Sequence, residues 1–91
     1  MQVILTAHAS QRLNDRCGVK TTPGTQVDIS TAFMHTRTYF CKVNHQMQES
    51  WALKGGRVVL IIEHQSQRVL TVMTDGPIVD AVYREVDHKL H

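Results

Sequence analysis

Arg57-Val58-Val59-Leu60-Ile61-Ile62-Glu63 is a continuous apolar run closed by a charge at each end. Its length, its β-branched content and the Gly55-Gly56 pair before it read as a central strand. Lys54-Gly55-Gly56 is a hairpin signal, so the strand upstream should be Met47–Leu53, with Met47, Glu49, Trp51 and Leu53 on one face. Asn44-His45-Gln46 reads as the turn before it. Arg37–Asn44 then forms a further strand, with Tyr39, Cys41 and Val43 on one side. Downstream, His64–Gln67 is a turn and Arg68–Thr74 a strand that alternates Val69, Thr71 and Met73 with Leu70, Val72 and Thr74. Short connections throughout imply a four-stranded antiparallel meander.

Helical signals flank this block. Thr6 is an N-cap and Gly18 a C-terminal stop for a helix over about residues 7–17. Ala9, Leu13 and Cys17 form its apolar stripe, and His8, Arg12 and Arg16 a cationic stripe beside it. Met1–Leu5 is a short apolar start that reads as either a strand or the lead-in to this helix. Thr22-Pro23-Gly24 is a turn, after which Thr25-x-x-Asp28 resembles a capping box opening a second helix that fades near Thr36, with Val27, Ile29, Ala32 and Phe33 inward. Asp75-Gly76-Pro77 ends the strands. Ile78, Val82, Val86 and Leu90 make an i, i+4 stripe, so residues 77–90 read as a C-terminal helix, with an extension of the sheet as the alternative. The fold class expected is α+β: N-terminal helices, a four-stranded antiparallel β-meander and a C-terminal helix, in one domain over residues 1–91 with one core of two layers containing Leu13, Phe33, Trp51, Leu60 and Ile62.

Composition narrows the function classes. The 42% hydrophobic and 20% charged fractions are those of an ordinary globular chain. No apolar run approaches the roughly 20 residues of a membrane span, and the N-terminus lacks a signal-peptide pattern, so a cytoplasmic protein with free Cys17 and Cys41 is expected. Residues 1–74 hold eight basic and four acidic groups, and residues 75–91 two basic and four acidic. A basic body followed by an acidic tail permits nucleic-acid contact without requiring it. Six histidines and two cysteines show no Cys-x-x-Cys and no His-x-x-x-His spacing, so no metal and no cofactor is expected.

The pattern Thr6-x-His8-Ala9-x-x-Arg12-Leu13-x-x-Arg16, followed by a meander ending in Val69-Leu-Thr-Val-Met-Thr74, resembles a family of small domains with a His-Ala-x-x-Arg opening helix. That family is grouped with the barnase–EndoU–colicin–RelE ribonuclease superfamily, which includes many toxins. The resemblance covers about residues 6–74. This chain departs from the family at Arg16-Cys17-Gly18, where the family has Arg-Gly, in the segment 19–24, and in its C-terminal helix.

The resemblance implies metal-independent RNA cleavage with His8, Arg12, Thr71 and Thr74 as catalytic candidates. Phosphate binding would fall to Arg12, Arg16, Lys20 and Arg57, and the partners would be RNA and a cognate inhibitor or antitoxin protein. The chemistry suits the residue types. An imidazole titrates near neutrality and carries protons. A guanidinium grips phosphate in bidentate fashion and stabilises developing charge. One histidine leaves the second proton carrier open among Tyr39, His45 and His64. The alternative is a binding, adaptor or inhibitor module without chemistry, acting through a sheet edge or its basic surface. An enzyme needs His8, Arg12 and a strand hydroxyl to converge in a cleft, whereas a binding module scatters them and exposes an apolar patch.

Overall fold

The computed structural model describes residues 2–28, 37–53 and 57–90. Strand β1 (Gln2–Leu5) leads into helix α1 (Ala7–Cys17), and β2 (Gln26–Asp28) follows. Then come β3 (Thr38–Val43), β4 (Gln48–Leu53), β5 (Val58–Glu63), β6 (Arg68–Met73) and helix α2 (Pro77–Leu90). The strands form one mixed sheet of order β2-β1-β6-β5-β4-β3. The β3–β6 block pairs antiparallel in sequence order, as the period-two patterning requires. The Leu53↔Val58 register closes the β4–β5 hairpin around residues 54–56, which are outside the described residues, so its Gly-Gly turn is not described.

The expected four-stranded antiparallel meander is therefore corrected to six strands in a mixed sheet. Of the two readings of the apolar start, the strand holds over Gln2–Leu5: β1 pairs parallel with β6 through Ile4↔Arg68 and Leu5↔Val69. Such a pairing joins segments over sixty positions apart, and local patterning carries no record of it. The second helix expected from Thr25 is also overturned at its start. Val27 pairs with Val3, and the Thr25 hydroxyl donates to the Thr22 carbonyl (2.6 Å) instead of capping a helix. Tertiary pairing overrides a four-residue capping signal. Positions 29–36 of that expected helix, Phe33 included, are outside the described residues.

Alternation along β5 assigns the two helices to opposite faces. Leu60 and Ile62 join a buried cluster with Val3, Leu5, Ala9, Leu13, Val69 and Val72 under α1, and Trp51 packs against its margin. Val59 belongs to a second cluster with Cys41, Ala52, Val79, Val82 and Val86 under α2. The expected single core of two layers is thus two cores in three layers: helix, sheet, helix. Two bulges set this phasing. One in β6 leaves Leu70 unpaired, which puts Val69 and Val72 on the same face where strict alternation would separate them. The other, in β3, makes Cys41 the extra residue. The inward stripe of α2 is correspondingly Val79, Val82 and Val86, while Ile78 and Leu90 are exposed.

Both ends of α1 are fixed as its sequence dictates. The Thr6 hydroxyl accepts from the Ala9 N–H (3.1 Å) and donates to the Val69 carbonyl (2.7 Å), tying the helix start to β6. Gly18 at φ +68° lets its own N–H reach the Asn14 carbonyl and that of Val19 the Leu13 carbonyl.

Cys17 packs at the α1-side core and Cys41 lies in the α2-side core. The sheet between them bars the roughly 4.4–6.8 Å Cα approach of a disulfide. Burial, with the Glu85 carboxylate accepting from its S–H (3.2 Å), pushes the Cys41 thiol up. Thiol titration in denaturant, without prior reduction, is expected to find both of the chain's cysteines free; a Cys17–Cys41 disulfide would overturn this two-sided placement. Among the described residues no helix is long and apolar enough to cross a membrane.

Candidate functional site

His8 stands exposed in the first turn of α1, one turn before Arg12. The Arg12 Nε–H points at His8 Nε2 over a long 3.5 Å contact. The i, i+4 spacing on one helix is what brings them together. Arg16, one turn further, donates to the Val72 carbonyl of β6 (2.7 Å), so its guanidinium is partly committed to holding α1 on the sheet. Ser10 marks the other flank of the helix, its hydroxyl donating to the Thr21 carbonyl (2.9 Å) on the β1–β2 side. Helical geometry therefore turns Arg12 and Arg16 to the flank away from β2.

Thr71, Lys20 and Arg57 do not gather here. Thr71 lines a cavity of about 550 Å³ beneath α2, with Ile61, Met73 and Val82, on the face of the sheet opposite α1. Thr74 is half-buried just beyond β6. Lys20 is exposed beside Ser10 and Thr21, on the Ser10 flank. Arg57 forms an ion pair with Asp80 of α2, and its guanidinium carbon lies 5.8 Å from the Tyr83 ring centroid. The structure thus joins His8 to Arg12, keeps Arg16 on the same helix, and sets Thr71, Arg57 and Lys20 elsewhere. Among the described residues no three His, Cys, Asp or Glu side chains gather to hold a metal ion.

A second polar constellation lies on the α1-side face, where Glu49 of β4 stands opposite Ile62 of β5. Glu49 is only 6% exposed although it carries a charge. Its Oε1 accepts from the Trp51 indole N–H (2.8 Å), and its Oε2 contacts His64 Nδ1 (2.7 Å) and accepts from Gln67 Nε2 (2.9 Å). Burial pushes the Glu49 carboxyl up, but these three bonds and the adjacent imidazole outweigh it and hold the carboxyl below 4.5, its ordinary value. Of the three histidine or tyrosine partners named from sequence, His64 has this carboxylate support, Tyr39 packs at the α2-side core, and His45 is exposed in a turn. Sequence reading took Glu49 as one member of an apolar phase. A carboxylate at such a position is itself the signal of a buried, bonded charge.

A carboxyl lowered on folding stabilises the folded state above its unfolded value, and that contribution is lost as pH falls through the lower folded value. Glu49→Gln leaves His64 and Gln67 with one acceptor fewer. It is expected to cost about 1.5–3 kcal/mol at neutral pH, the worth of hydrogen bonds to a charged group. The gap to the wild type should close below about pH 4.5, in urea unfolding followed across pH. A gap that persists unchanged at low pH would show that Glu49 acts by shape alone.

Compared with protein-family models, curated proteins and solved structures, the chain gives no match.

Proposed function

We propose that the chain is a metal-independent, ribonuclease-like RNA-binding domain whose reactive pair is His8 and Arg12. The observation that carries this reading is their contact in the exposed first turn of α1. Helix N-termini favour anions, and a guanidinium beside an imidazole holds a phosphate where the ring can move a proton. His8 takes the proton of a ribose 2′-hydroxyl, the oxygen attacks phosphorus, the bond to the 5′-oxygen breaks, and that oxygen takes up a proton from solvent water. Arg12 neutralises charge on the non-bridging oxygens. Thr71 has no part in this scheme, because it lies across the sheet.

A second reading, a binding module without chemistry, is favoured by that same separation of Thr71 and by the engagement of Arg57 with Asp80. It would act through the basic surface rather than the β3 edge. There the Cys41 bulge and the Lys89 ammonium, which donates to the Cys41 carbonyl, oppose pairing with a further strand.

The deciding experiment incubates the protein with single-stranded and ribosome-bound RNA in the presence of chelator. New cyclic-phosphate ends support the enzyme, and binding without cleavage of either substrate supports the module. Arg12→Ala is expected to weaken RNA binding uniformly across sequences and to reduce the logarithmic salt slope by about one, as loss of a single phosphate contact does. An unchanged slope would remove Arg12 from the interface.

A further inference from the structure

We infer that Phe40, Trp51 and His64 form a stacking row for unpaired bases of single-stranded RNA; this rests on RNA being the ligand. The β3–β4 register sets Phe40 directly opposite Trp51. Their ring centroids are 5.3 Å apart with planes tilted by 58°. Phe40 keeps 44% of its surface exposed, enough for a base to reach the ring.

The rest of the row is fixed from below. The two oxygens of the single buried Glu49 carboxylate hold the Trp51 indole N–H on one side and His64 Nδ1 on the other. Two flat rings are thereby anchored, with Phe40 packed on the first of them, and a rigid platform loses little entropy when a base settles on it. The charge around the row suits a polyanion. The Lys89 ammonium lies 6.0 Å from the Phe40 ring centroid, and α1, with its cationic stripe, packs on the same face of the sheet. Aromatic platforms flanked by cations take single strands with little sequence preference, because every base has a π-face.

Trp51 is the chain's single tryptophan, so its fluorescence reports on this row alone. The probe is a short, mixed-sequence 2′-O-methyl RNA, which binds as a single strand but lacks the hydroxyl needed for cleavage. Titration is expected to quench Trp51. Phe40→Ala should weaken binding roughly fivefold to a hundredfold, the usual worth of one stacked base, and diminish the quench. Phe40→Tyr should restore both, and thermal melts of each variant verify the fold.

Binding without a quench, an equal quench by the duplex form, or a Phe40→Ala variant that binds as tightly as the wild type would overturn the row while leaving RNA as the ligand. A self-associated species that Phe40→Ala disperses, with no RNA-induced quench, would make the patch a protein contact and overturn it too. Failure of every RNA to bind would sink both this proposal and the RNA reading.

Discussion

His8→Ala is expected to lower RNA cleavage by about 10²–10⁴-fold, the usual contribution of a positioned general acid or base. The same substitution should leave the unfolding midpoint almost unchanged. His8 is exposed, and the cap of α1 is made by Thr6 rather than by the imidazole. This pairing of a large kinetic loss with an intact fold is the diagnostic result, because a packing residue would lose both together. The pH–rate profile supplies a second readout: the limb contributed by the general base should vanish in the variant. Full cleavage by His8→Ala would end the proposed role for the α1 pair and direct attention to His64, the other histidine placed by a specific partner.

Leu13→Ala is expected to destabilise the protein by about 2–5 kcal/mol. Leu13 has no exposed surface and sits among Leu5, Leu60, Ile62 and Val72, at the centre of the layer between α1 and the sheet. Truncation removes buried methyl groups, and strands held by six-stranded pairing cannot collapse into the space left. In a domain of this size the loss is comparable to much of the total stability, so the urea midpoint should fall clearly. Val82→Ala removes less volume and should cost less. Val82 lies in the other core, under α2, so the two changes should add in the double variant. Strong non-additivity would show that the two cores are coupled through the sheet.

Where the determinant was local, the sequence was informative. Thr6 and Gly18 bounded α1 because an N-cap hydroxyl and a positive-φ glycine act within a few residues of themselves. The apolar run at 58–62 became β5, in the interior of the sheet, because a continuous apolar run leaves no polar phase to face water. The His8–Arg12 pair followed from helical spacing alone.

Only the tertiary structure decided what depends on distant pairing. β1 beside β6 and β2 beside β1 turned a meander into a mixed six-stranded sheet, and Gln26–Asp28 took a strand conformation against its own capping signal. The β6 bulge moved Val69 and Val72 to one face, and α2 covered the face opposite α1, so Thr71 was separated from His8 by the sheet itself. Glu49 gained its meaning from Trp51, Gln67 and His64, which three segments of the chain bring to one carboxylate. Periodicity records which side of its own element a residue occupies. Which other element lies against that side is set by the free energy of burying whole faces together, and no local stretch encodes it.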